Sequence, residues 1–284
     1  MLASPAADVV ARLRAAGCVF AEEEVLLLAD AARTPAELDA MVKRRAGGLP
    51  LEHVLGWAQF CGLRIAVDPG VFVPRGSTEF LVALAAAAAR GAARRPGRPV
   101  GQAGGPDPAV IVDLCCGCGA VGAALAASLG AIELHAADID PAAVRCARRN
   151  LAAVGPVYEG DLYQPLPASL RGRVDVLAVH APYVPTAAIA LMPPEARDYE
   201  ARVALDGGRD GLDLQRRVAA GAPAWLAPGG ILLIETSERQ AARTAVSIRG
   251  SGLMARTARS GETDSVVVTG TWPGPSLRDG VRGT

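Results

Sequence analysis

The chain has 284 residues, of which 51% are apolar, 20% charged and 4% aromatic, with 29 Lys and Arg balanced by 29 Asp and Glu. This composition supports a globular core and excludes collagen-like and disordered classes, and zero formal net charge gives no global pull towards nucleic acid. The longest apolar runs, such as Phe80 to Ala89, stop well short of the roughly 20 residues that span a bilayer, so no membrane segment is expected.

The opening stretch MLASPAADVVARLR has no basic start followed by an apolar run, so no secretory signal is expected and a cytoplasmic location is the default. Ser4 and Pro5 read as cap and first turn of a helix over 6–16, and Glu22 to Ala32 repeats apolar residues at helical spacing. Thr34, Pro35 and Glu37 form a capping box that starts a third helix running to about Arg45. The first fifty residues thus predict a small helical domain. After Gly47-Gly48-Leu49-Pro50, the stretch Val54 to Val73 mixes short β-prone pieces with turns at Gly62 and Asp68-Pro69-Gly70, a hairpin-like connector. Phe80 to Arg90 is helical, and residues 91–108 hold nine Gly or Pro, which predicts a flexible surface loop.

From Ala109 the pattern alternates short apolar runs with helical ones. Strands are expected at 109–114, 133–138, 156–159, 174–180, 230–235, 253–257 and 265–271, with helices over 120–129, 141–151, 212–226 and 238–249. Seven strands with helical crossovers predict an α/β fold built on a doubly wound sheet, whose ligands lie at the carboxyl ends of the strands.

Those ends carry the candidate chemistry. Asp113-Leu114-Cys115-Cys116-Gly117-Cys118-Gly119 is a turn of small residues where backbone can approach a ligand closely. Asp138 ends the second strand 25 residues later, where an acid accepts from a ribose diol. Its rival role as a helix cap is already filled by Asp140 before Pro141. Asp161 follows the third strand, placed to accept from an adenine amine, and His180-Ala181-Pro182-Tyr183 follows the fourth. In a large chain with no expected export signal the six cysteines read as reduced thiols, and Cys115, Cys116, Cys118 and Cys146, which lack two separated CxxC pairs, read as small buried thiols rather than a metal site. His53 and His135 read as structural, and Arg94-Arg95 and Arg145 to Arg149 as solvated faces.

In these motifs the chain resembles the HemK/PrmC family of protein-(glutamine-N5) methyltransferases, a group of class I S-adenosylmethionine-dependent enzymes. The resemblance rests on PRxxTE at Pro74 to Glu79, the turn from Asp113, the acids Asp138 and Asp161, an NPPY-like loop at His180 to Tyr183, an ALxGGxDGL-like segment at Ala204 to Leu212, and a PGG strand from Pro228. It runs from about Glu22 to Trp272. It implies a seven-stranded Rossmann-like methyltransferase sheet with an N-terminal helical substrate-docking domain over 1–50. A connector over 51–75, the methyltransferase domain over 76–273 and a disordered tail over 274–284 complete the expected organisation.

The resemblance further implies S-adenosylmethionine as cofactor. Asp113, Cys115, Gly117 and Gly119 would border its methionine moiety, Asp138 its ribose and Asp161 its adenine. His180, Ala181, Pro182 and Tyr183 would form the catalytic loop, His180 also bordering the cofactor, while Arg75, Thr78, Glu79 and Tyr183 would meet the substrate. The implied partner is a peptide chain release factor, with no membrane and no direct nucleic-acid contact. Two positions depart from the family: Cys115 replaces a glycine, and His180-Ala181 replaces Asn-Pro. A neutral imidazole offers one acceptor nitrogen and imidazolium none, so His180 either replaces the amide oxygen when unprotonated or acts as general base on a different acceptor. Another protein side chain, a nucleobase amine or a small metabolite therefore remain as acceptors, and an NAD-dependent Rossmann oxidoreductase or a catalytically silent binding module remain as other classes.

Overall fold

The computed structural model describes residues 5–94 and 107–275. The chain opens with helices α1 (Pro5–Ala15), α2 (Ala21–Ala31), α3 (Pro35–Ala46) and α4 (Leu51–Leu55), whose Leu13, Leu28, Val42 and Val54 bury one another. Ser4, the expected first cap, lies outside the described residues. The Thr34 hydroxyl caps α3 by accepting from the Glu37 N–H at 3.2 Å. The reciprocal half of the box is displaced by one residue, because the Glu37 carboxylate accepts from the Arg33 N–H at 3.0 Å. Thr34→Ala is expected to cost about 1 kcal/mol, read as a lower urea midpoint at unchanged slope.

Strands β1 (Trp57–Phe60) and β2 (Leu63–Ala66) pair antiparallel. Cys61 and Gly62 turn the hairpin with positive φ at both, 49° and 76°. Helix α5 (Glu79–Ala93) carries Gly91 to Ala93, so the expected loop begins later than its composition suggests, the alanines before it sustaining the helix. Residues 95–106 of that stretch, and 276–284 of the expected tail, lie outside the described residues.

The remaining elements are β3 (Ala109–Leu114), α6 (Ala120–Leu129), β4 (Ile132–Asp138), α7 (Pro141–Asn150), β5 (Val157–Glu159), β6 (Val174–Val179), α8 (Pro194–Tyr199), α9 (Arg202–Leu205), α10 (Asp213–Gly221), β7 (Leu226–Thr236), α11 (Glu238–Gly250), β8 (Met254–Arg259) and β9 (Val266–Thr271). Among the described residues seven strands form one sheet in the order β5-β4-β3-β6-β7-β9-β8. The first five run parallel, and β9 runs antiparallel between β7 and β8, since a short turn rather than a helix joins the last two. The chain winds outwards from β3 through β4 to β5, then returns to β6 on the other side, which leaves a switch point between β3 and β6.

All residues of β3 and β6 are buried. Along β3 the side chains alternate between two cores: Ile111 belongs to the one that holds Leu81 of α5, Leu125 of α6 and Val144 of α7, and Val112 to the one that holds Val218 of α10 and Ile248 of α11. Each such Ile or Leu contributes about 1.5–3 kcal/mol of burial, which fixes the rim at the strand ends. Among the described residues no helix is long and apolar enough to cross a membrane.

Candidate active site

Three left-handed residues shape the turn after β3: Cys115 (φ 59°), Gly117 (φ 55°) and Gly119 (φ 81°). A side chain at Gly119 would press on Leu151 at 3.0 Å, whereas one at Gly117 would meet nothing within 4 Å, so the backbone at Gly117 is open to the cavity. Cys115 holds its left-handed conformation despite a side chain, a local strain of the kind found at functional turns.

One carboxylate holds this turn and a second holds the first turn of α6 behind it. Asp138 Oδ2 accepts from the Gly117 N–H at 2.9 Å, and its Oδ1 accepts from the Asp140 N–H at 2.9 Å. The acid is therefore engaged rather than free, although each oxygen keeps a second lone pair for a ligand hydroxyl. Asp113 is buried, and its Oδ2 accepts from the Gly122 N–H at 2.9 Å. Burial pushes its carboxyl up to about 7, against the pull of that N–H and with a further push from the Asp138 charge. Burial likewise raises Asp138, opposed by the N–H groups of Asp140 and Gly117. Burial holds the Cys115, Cys116 and Cys118 thiols protonated. All six cysteines are free, and among the described residues no group of His, Cys, Asp and Glu could hold a metal ion.

Asp161, after β5, receives the Arg217 guanidinium at 2.5 Å, so the adenine-facing candidate shares its carboxylate with α10. His180 follows β6 with its ring edge-on to Phe72 at 5.4 Å and stacked on Tyr183 at 6.0 Å. Its Nδ1 lies 3.5 Å from Thr78 Oγ1 and 4.0 Å from Glu235 Oε2. The loop itself is pinned from behind: Gln240 Nε2 donates to the carbonyls of Tyr183 (2.8 Å) and Asp210 (3.2 Å), and the Gly207 N–H donates to Val184 O at 2.8 Å. A side chain at Gly211 would sit 2.2 Å from the Tyr183 carbonyl, so the Ala204 to Leu212 motif is glycine-rich because it lies directly under this loop.

One cavity of about 310 Å³ gathers Asp113, Cys115, Gly117, Asp138, Asp161, His180, Ala181, Pro182, Tyr183, Arg75 and Thr78. Two sequence candidates do not line it. Gly119 caps α6, and Glu79 faces the hairpin, its carboxylate accepting from the Cys61 N–H at 2.8 Å. Arg75 does not pair with Glu79; it reaches Glu200 at 2.6 Å and covers the Phe72 ring at 4.8 Å. Residues 184–206, where the sequence reading placed no helix, form a strap along this wall. Its Glu195 receives Arg45 at 2.7 Å, the Tyr199 hydroxyl donates to Gly47 O at 2.8 Å, and the Ala201 N–H donates to Gly70 O at 3.0 Å. Sequence reasoning also missed Phe72, Arg217, Gln240 and Glu235. Of these only Glu235 carried a usable signal, as an acid at the end of an expected strand.

A family model described as the methyltransferase small domain matches residues 106–182. A release factor glutamine methyltransferase of Geobacter sulfurreducens is 38% identical over 213 residues, covering 73% of this chain and 68% of that protein. A 4-amino-L-phenylalanine/4-methylamino-L-phenylalanine methyltransferase of Streptomyces pristinaespiralis is 34% identical over 212 residues, covering 74% and 69%. A solved methyltransferase of Pyrococcus furiosus shares the fold with a TM-score of 0.52 at 15% identity, over 75% of this chain and 90% of that one.

Proposed function

Because the chain belongs to the release factor glutamine methyltransferase family, we propose that it transfers a methyl group from S-adenosylmethionine to the side-chain amide of a glutamine in a release factor loop of GGQ type. The observation that carries this reading is the meeting of the His180 to Tyr183 loop with the glycine turn and Asp138 in one cavity. The chain suits the donor: Gly117 leaves room for close approach, and two acids face the cavity beside it. When bound, the donor supplies an electrophilic methyl carbon on a sulfonium.

The protein's own work is placement and exclusion of water. Asp138 accepts from the ribose hydroxyls, Asp161 from the adenine amine, and Asp113 with the 115–119 turn borders the methionine moiety. The Ala181 carbonyl and His180 accept from the two hydrogens of the acceptor nitrogen, which orients a lone pair otherwise spread over the amide. Tyr183, whose burial pushes its hydroxyl up and keeps it protonated, packs beside the acceptor with Phe72, Met192 and Leu205. Arg75 and Thr78 border the substrate side, and the helical domain over 1–50 docks the protein partner in the cytoplasm, with no direct call on nucleic acid.

The test is incubation with isotopically labelled donor and intact release factor, followed by peptide mass mapping. Label on the loop glutamine is expected, and its absence at saturating enzyme overturns the assignment. His180 favours a second reading in which the acceptor is an aromatic amine, as in the relative from Streptomyces pristinaespiralis. A panel of small aromatic amines in the same assay separates the two.

A further inference from the structure

Glu235 lies one residue before the end of β7, beneath the acceptor corner, with its side chain only 4% exposed and its Oε2 without a hydrogen-bond partner among the described residues. Among the described residues its Oε1 receives a long contact from Ser77 Oγ at 3.5 Å. A buried carboxylate oxygen left unpaired costs free energy, and the nearest ring nitrogen is His180 Nδ1 at 4.0 Å. Thr78 Oγ1 stands 3.5 Å from the same nitrogen, and its hydroxyl can turn to accept as readily as to donate. A proton on Nδ1 would reach towards the Thr78 oxygen and face the Glu235 carboxylate. Placed on Nε2 instead, it leaves the Nδ1 lone pair facing a carboxylate, which is repulsive.

From this geometry we infer that Glu235 is a positioning residue that holds His180 in the Nδ1–H tautomer and so leaves Nε2 bare to accept from the methyl acceptor's nitrogen. The 4.0 Å separation is a small ring shift from hydrogen-bond reach, and such contacts tighten when an acceptor fills the site. The arrangement follows the logic by which an acid fixes a histidine tautomer in hydrolytic triads. It also answers a need that the asparagine of the family pattern does not meet, namely where the proton goes. The nitrogen's electron pair forms the new N–C bond as the C–S bond breaks, its pair passing to sulfur. The proton shed by the nitrogen moves to Nε2, the resulting imidazolium is balanced by Glu235, and the ring then releases the proton to water.

The inference rests on the methyl-transfer reading for the identity of the acceptor, but its first test does not. The chain holds 3 histidines, so ¹⁵N-imidazole spectra in mildly alkaline buffer can be assigned by loss of one signal in His180→Asn. An Nδ1–H ring at position 180, lost or inverted in Glu235→Gln, is the expected result. An Nε2–H ring in the unaltered protein overturns the inference, and does so even if the variant fails to fold.

The second test is a kinetic cycle with labelled donor and release factor. Glu235→Gln is expected to lower kcat by roughly 10–100-fold while KM and donor affinity stay within about twofold, and to have no effect once His180→Asn is present. Equal losses in both backgrounds would mark Glu235 as merely structural and overturn the role. If the tautomer is as expected but no glutamine is methylated, the acceptor assignment fails and the positioning role stands.

Discussion

Asp138→Ala is expected to weaken S-adenosylmethionine binding by roughly 100- to 1000-fold, about 3–4 kcal/mol. The charge-assisted bonds to the ribose diol account for part of this loss. The rest comes from the protein. Asp138 Oδ2 ties down the Gly117 N–H and Oδ1 the Asp140 N–H, so one side chain clamps the glycine turn to the start of α7. Removing it leaves two backbone donors without their acceptor and frees a left-handed turn that the donor must then reorder. Asp138→Asn keeps one acceptor oxygen in place but turns an NH2 towards the other backbone N–H, and is expected to lose about tenfold, less than the alanine. Calorimetric titration of the two variants decides the matter. Unchanged affinity in a folded Asp138→Ala protein would falsify the ribose assignment, and equal losses in both variants would show that the full carboxylate, with its charge and both acceptor oxygens, is required.

The rim was legible wherever a short-range rule governed it. Short apolar runs alternating with helical patterns predict parallel strands, of which β3 and β6 are buried throughout, and the rule that ligands lie beyond the strand ends leads to Asp113, Asp138, Asp161 and His180, all of which line the cavity. What stayed hidden depends on partners far apart in sequence. Arg75 finds Glu200 across 125 positions, and Arg45 joins Glu24 at 2.6 Å and Glu195 at 2.7 Å, so neither residue's local pattern revealed its role. Glu79 had a local alternative in Arg75, yet the hairpin's Cys61 N–H outcompeted it because Arg75 was already taken. Helices α8 and α9 escaped notice for another reason: they span six and four residues, too few for periodicity to register, and they are held by the strap's bonds to its neighbours rather than by propensity.

Asp113 carries the largest expected effect of pH on stability. Its carboxyl titrates at about 7 in the folded protein, against an ordinary value of 3.8. Between those values the folded state keeps a proton that the unfolded chain has released, so this group's stabilising contribution is complete below about pH 4 and is lost as pH rises through about 7. The span corresponds to roughly 4 kcal/mol. His53 acts in the opposite sense, because burial lowers its pKa and its contribution is lost as pH falls. Subtracting the urea stabilities of Asp113→Asn from those of the parent protein cancels that shared term. The difference is expected to slope downwards with pH between about 4 and 7, and the variant is expected to be the more stable protein at pH 8. A flat difference would show that Asp113 is ionised throughout. On the proposed function the same proton links the acid to the donor. A cationic methionine moiety beside Asp113 favours the carboxylate, so donor binding near pH 6 should expel close to one proton, and donor binding to Asp113→Asn should expel markedly less. Calorimetry of donor binding in two buffers of different ionisation heat measures that count directly. Equal proton release from both proteins would separate Asp113 from the donor, whatever the stability difference had shown.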